Sequence, residues 1–386
     1  MSKEELTIRR SSSGVCILGD GLITDSLLDT GSIPVSNLND CADVVLQSLR
    51  RFNPGLLAGV AGSDLLWERA AELGIAPKEH FSANKSCRLL PTLSGHIALN
   101  MARIEDWSLL PAWLQTSAEN WEQVAEAVAQ QSTEALVERG RLMGLALSFP
   151  AEPLQDNWRD SLQQASADRA TAPRVVDLSA LWAGPLCSHV LAQCGFEVIK
   201  VESISRPDGA RQGSPHLFAA LHKDKECRQY DFSDSKDLAR LRDLLISADV
   251  VIEGSRPRAL EALRLEYARM NQLSKEQGQP DKLWLSLTAY GRGLPFGHWV
   301  GFGDDVAIAA GAVDWSDRNQ PQFTGDAVAD PLTGLLAAAV VLHLEQKQRT
   351  GLVDFSLFRA ARFCVEWLQK HNGQATAALR RPALRC

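Results

Sequence analysis

From Arg174 onward the sequence alternates short apolar runs with helical segments, and this alternation constrains the fold more than any other feature. Arg174-Val175-Val176-Asp177-Leu178 reads as a short buried strand. Pro185 to Cys194 reads as a helix, with Pro185 at its first position and Gly195 just past its end. Glu197 to Glu202 gives the next strand, Asp237 to Ser247 a helix, Asp249 to Ile252 a strand and Lys282 to Tyr290 another. Strands spaced by helices need crossover connections, which are right-handed and leave the strands parallel. The expected fold class is therefore α/β: a Rossmann-like parallel sheet with crossover helices, plus a smaller α+β region.

That smaller region is expected in the first half. Val15 to Leu18 reads as a strand leading through Gly19-Asp20-Gly21 into a helix, and Ser63 to Leu73 looks helical. Cys87 to Asn100 has hairpin character with Ser94-Gly95 as its turn, and two helices follow at Glu119 to Gln130 and Thr133 to Leu142. Pro150 to Pro173 is polar and reads as a linker or a surface helix. The expected organisation is an α/β region over 1–150, a linker over 151–173 and a Rossmann-like domain over 174–386.

Composition bounds the partners. With 386 residues and 45% hydrophobic content, the chain can form one large core or two moderate ones. A net charge of -7 argues against nucleic acid, which needs a basic face, but leaves room for a small polyanion held by local basic residues. The eight cysteines form no Cys-x-x-Cys pair and no zinc spacing, so reduced thiols and no metal are expected. The opening MSKEELTIRRSSSG lacks an apolar core, and the longest apolar run, Leu335 to Leu344, is about half what a membrane span needs. A cytoplasmic protein without a membrane partner is expected.

Two glycine motifs fall short of a dinucleotide fingerprint. Gly19-Asp20-Gly21 has Thr24 where the third glycine belongs, and the turn from Ser179 to Pro185 holds a single glycine before a strand ending at Glu202. Hydride chemistry is disfavoured. The segment Ala329-Asp330-Pro331-Leu332-Thr333-Gly334-Leu335 says more. Asp before Pro places Asp330 at an N-cap, and Leu332, Leu335, Leu336, Ala339 and Val340 recur at helical spacing. A carboxylate there either only caps the helix or attacks a thioester beside backbone N–H donors. Local chemistry does not choose between these.

Six ordered segments resemble the class III CoA-transferases, the family of formyl-CoA and carnitine CoA-transferases and alpha-methylacyl-CoA racemase. They are Val176-Asp177-Leu178-Ser179 through Ala183-Gly184-Pro185, Gly195 to Glu202, Glu253-Gly254-Ser255-Arg256-Pro257, Ser286 to Gly291, Asp330 with Thr333 and Gly334, and Arg349-Thr350-Gly351 through Leu357. The resemblance implies that Asp330 is the catalytic aspartate, acting through a mixed anhydride and an aspartyl-CoA thioester. It implies coenzyme A, as an acyl-CoA substrate, contacted by Arg256 and by Lys200, Arg206, Arg211, Lys223 and Lys225. A carboxylic acid acceptor and a homodimer of interlocked chains are implied as well. Arginines and lysines at loop ends suit a diphosphate and a ribose phosphate.

Two features depart from the family pattern. Asp304 of Gly303-Asp304-Asp305 stands where the racemase branch carries a histidine, which removes the His/Asp pair for two-base racemisation. The region resembling the family's small domain, Leu99 to Leu142, precedes the catalytic segment, as though the closing part of one unit were followed by the opening part of another. The readings are thus a CoA-transferase acting through Asp330, an acyl-CoA isomerase, racemase or lyase with Asp304 or Asp305 as base, and a non-catalytic partner subunit binding CoA thioesters.

Overall fold

The computed structural model describes residues 10–11, 14–15, 37–77, 80–153, 161–165, 172–315 and 320–372. Gly19-Asp20-Gly21 and its following helix lie outside them.

Within the first half, α1 (Leu38–Leu49) is capped by Asn37, whose side chain accepts from the N–H groups of Asn39 and Asp40. The hairpin is present: β1 (Cys87–Pro91) and β2 (His96–Asn100) pair antiparallel, and β3 (Ala146–Ser148) adds to β2. Helices α2 (Trp121–Ala129) and α3 (Thr133–Met143) cover that small sheet. The stretch expected as a linker or surface helix carries β4 (Ser161–Gln164).

The second half builds the large sheet from β5 (Arg174–Asp177), β6 (Glu197–Ser203), β7 (Glu226–Tyr230), β8 (Val250–Glu253), β9 (Leu283–Thr288) and β10 (Arg349–Ser356). The helices are α4 (Ala183–Gln193), α5 (Ser235–Ser247), α6 (Gly303–Ala310), α7 (Ala329–Gln346) and α8 (Leu357–Asn372). Strand order is β4-β10-β9-β8-β5-β6-β7. Every neighbour pair is parallel except β4 with β10. The Rossmann-like expectation holds, and its edge is closed by an antiparallel strand from the polar stretch.

Chain order reverses beside β5: β6 and β7 extend one way, β8 to β10 the other. The crossovers diverge there and leave a crevice beyond the carboxyl ends of β5 and β8, where ligands of open α/β sheets bind.

Helix α7 is buried on nearly every face, from Pro331 through Leu342, so it must be covered all round. Helix α4 packs against it at Gly334, and residues of α1 share the same core. A Cβ at Gly334 would stand 2.8 Å from the Ala183 carbonyl oxygen and 2.8 Å from Leu186 Cβ. Gly334→Val is therefore expected to cost about 1–3 kcal/mol by overpacking. A lower midpoint in urea unfolding would show this, and an unchanged midpoint would contradict the close helix approach.

Candidate functional site

A cleft of about 1280 Å³ opens at the switch point, lined from both halves of the chain. Its floor is acidic and largely buried, whereas its rim is basic and exposed.

Asp330 is the second residue of α7, two positions past the N-cap, which is Val328. Its own N–H bonds the Ala327 carbonyl at 2.8 Å, and the Asp-Pro step is accommodated within the turn. The carboxylate accepts from the Gly303 N–H at the start of α6. A Cβ on residue 303 would collide with Asp330 Oδ2 and with the Ala327 carbonyl oxygen, so glycine is what permits the backbone to approach. Burial pushes the Asp330 carboxyl up to about 7; Arg69 opposes the rise and Asp326 adds to it. Desolvation thus outweighs the pull of the helix N-terminus on this carboxyl.

Three more aspartates surround it. Asp304 Oδ1 accepts the Ala327 N–H at 2.8 Å, and burial, then Asp326, lifts its carboxyl to about 8. Asp305 Oδ1 accepts from Asn100 Nδ2 at 2.9 Å and from the Phe302 N–H at 3.0 Å, closing the first turn of α6, and burial raises it to about 7. Asp326, fully buried, takes a bidentate fork from Arg69, with Nε at 2.8 Å from Oδ2. Leu181 and Ala327, two non-glycine residues with left-handed backbones (φ 68 and 47), both line the cleft.

The rim carries Arg103, Arg206, Arg256 and Arg258. Partial burial, and then the like charges of Arg258, Arg103 and Arg206, hold the Arg256 guanidinium below its usual range. Arg256 forms no ion pair among the described residues, and it sits just before Pro257, directly after β8. Arg103 is taken up by a fork onto Asp106, and Arg206, Arg256 and Arg258 remain gathered on a chain of net charge -7, an arrangement that suits an anion.

The structure brings Arg206 and Arg256 to one cleft with Asp330 and places the other expected contacts elsewhere. Lys200 is buried, bonding the Ser179 carbonyl and pairing with Asp208 at 3.3 Å. Lys225 is buried too, 2.6 Å from Ser188 Oγ, 2.8 Å from the Pro185 carbonyl and 3.5 Å from Asp177. Arg211 forks onto Glu202 at 3.0 and 2.7 Å, and Lys223 is exposed outside the cleft lining. Arg69, Asn100, Arg103 and Arg258 were not singled out by sequence reasoning. Arg258 follows Arg256 by two residues, a local signal; the first three reach the site across the fold and leave none.

The family model described as CoA-transferase family III matches residues 173–383. An acyl-CoA transferase of Fusarium pseudograminearum is 31% identical over 221 residues, 51% of this chain and 47% of its own length. The human succinyl-CoA:glutarate CoA-transferase is 27% identical over 206 residues, 50% of this chain and 46% of its own. A solved CaiB/BaiF family protein from Brucella suis is 25% identical with a TM-score of 0.46, covering 54% of this chain and 58% of that one. The chain spans about half the length of the curated relatives it matches.

The buried lysine makes a sharp test. Despite burial, Lys225 and Lys200 hold the Asp177 carboxyl down to about 2, below its ordinary 3.8. Its stabilisation is therefore complete above the ordinary carboxylate range and is lost as pH falls toward 2. Lys225→Met removes the lysine paired with that carboxylate and leaves it Lys200 and two serines, and removing one partner of a buried pair costs about 3–5 kcal/mol. Urea unfolding at neutral pH should show that loss. A midpoint equal to wild type would instead return Lys225 to the list of ligand contacts.

Proposed function

This chain belongs to CoA-transferase family III, and from that premise we propose that it moves coenzyme A between an acyl-CoA and a carboxylic acid through Asp330. The observation that carries the reading is the placement of Asp330 on the floor of a switch-point cleft whose rim is a group of arginines. A ligand with phosphates at one end and a thioester at the other matches a cleft with guanidiniums at its mouth and a carboxylate below.

In the proposed sequence Asp330 attacks the thioester carbonyl, the C–S bond breaks, and CoA leaves as a thiolate. The acyl group is then joined to an aspartyl oxygen as a mixed anhydride. Thiolate attack on the aspartyl carbon releases the first acid as its carboxylate and leaves an aspartyl-CoA thioester. The acceptor carboxylate reverses both steps, regenerating the Asp330 carboxylate and yielding the new acyl-CoA. The Gly303 N–H orients the attacking carboxylate. Arg206 and Arg256 hold the nucleotide end, so binding energy far from the thioester positions it.

The isomerase reading would make Asp304 or Asp305 the base. Both carboxyls are buried and engaged by protein donors, Asp304 by Ala327 and Asp305 by Asn100 and Phe302. That engagement favours a structural part for them. A homodimer is a proposal carried by the family resemblance, and a cytoplasmic location one carried by scattered cysteines that suit reduced thiols. Among the described residues no helix is long and apolar enough to cross a membrane.

Incubation with a panel of acyl-CoAs, trapping with hydroxylamine and peptide mapping should give a hydroxamate at Asp330 that is absent in Asp330→Asn. Trapping should increase as pH rises through about 7, because the nucleophile is the ionised carboxylate. No trapped product with any acyl-CoA, despite measurable CoA binding, would leave Asp330 a structural residue. Arg256→Ala should weaken CoA binding by about tenfold or more, the loss of a charge-assisted contact. Calorimetric titration with CoA reads this, and unchanged affinity would move the nucleotide end away from Arg256.

A further inference from the structure

We infer that Arg69 is a positioning residue for this site: clamped on Asp326, its guanidinium holds a fixed positive charge beside the Asp330 carboxylate. The inference rests on the proposed role of Asp330 and adds a residue from outside the family-matched segment.

Arg69 lies in the helical turn Glu68–Leu73, 257 residues before Asp326. That turn is bolted to the second half at two points. Arg69 forks onto Asp326 with both Nε and a terminal nitrogen. Glu72, one turn on, accepts from Ser214 Oγ and from the N–H groups of His216 and Leu217, each backbone bond 3.0 Å long. The guanidinium also lies 5.2 Å from the ring centre of Trp182, an aromatic face that favours a cation. It lines the cleft together with Asp304 and Asp330.

The titratable groups around Asp330 are Arg69, Asp326 just before α7, and Asp304 and Asp305 at the start of α6. Among the described residues, Arg69 is the cation that acts on Asp304 and Asp330. It opposes the upward push of burial on both Asp304 and Asp330, and Asp326 reinforces that push. With Asp326 engaged by the fork and the Trp182 ring beside it, the Arg69 guanidinium is held in the cleft that Asp330 also lines.

The test is an NMR titration of isotope-labelled aspartate side chains in the full chain, with the Asp330 signal assigned by its loss in Asp330→Asn. Arg69→Met should move the Asp330 midpoint upward by about one unit or more, since the opposing cation is gone. Arg69→Lys, which keeps the charge, should return it toward wild type. Asp326→Asn should move it downward, because a carboxylate is removed and Arg69 remains. A folded Arg69→Met with an unmoved midpoint, or an equal shift in Met and Lys variants, overturns the inference. If Arg69→Met does not fold, Arg69→Gln, which keeps a hydrogen-bonding group for Asp326 but not the charge, decides it: an upward shift supports the inference and an unmoved midpoint overturns it. The titration needs no turnover, so its result is independent of whether wild type forms a trapped acyl adduct.

Discussion

A helix without a polar face has to be buried on all sides, and α7 is such a helix. Its apolar residues are covered by α4 on one side, by α1 and α8 on others and by the large sheet beneath. Once its axis is fixed by that burial, its first turn is fixed as well, and this turn delivers Asp330 to the cleft. Gly334 lets α4 come close, and Gly303 lets the start of α6 come close to the carboxylate. The site is therefore a consequence of core packing: two glycines permit close approaches, and a carboxyl is left in the gap between helix ends.

Desolvation then determines the chemistry of that gap. Asp304, Asp305 and Asp330 are all lifted toward neutrality by burial, and Arg69 with the backbone N–H groups of Gly303, Phe302 and Ala327 pulls them back. A carboxylate stripped of water and balanced near neutrality is a stronger nucleophile than one in bulk solvent, and it is still available in its ionised form. In the proposed reaction the arginine rim acts at the opposite, solvated end, where charge would serve capture of a phosphorylated ligand and not bond making.

The sheet was legible in the sequence because buried parallel strands read as short apolar runs and their crossover helices as periodic segments with clear ends. The hairpin at 87–100 was legible from its Ser-Gly turn. Arg256 was legible because a strand end followed by Pro257 places it at the sheet's carboxyl edge. Lys200 and Lys225 misled because a lysine in a family motif looks the same whether it faces a ligand or a buried carboxylate; here Asp208 and Asp177 await them. The N-cap expectation for Asp330 shifted by two residues because helix starts are set by tertiary contacts as well as by Asp-Pro chemistry. Arg69 and Asn100 were invisible, since each meets its aspartate across more than two hundred residues of chain.

The central claim is that Asp330 becomes covalently joined to the substrate during transfer. Turnover with an acceptor acid whose carboxylate carries heavy oxygen tests this most directly. When CoA attacks the acyl carbon of the second mixed anhydride, the bridging oxygen stays on the aspartate. The Asp330 peptide should therefore become heavier after turnover, and other aspartate peptides should not. Transfer proceeding with an unlabelled Asp330 peptide would contradict the account.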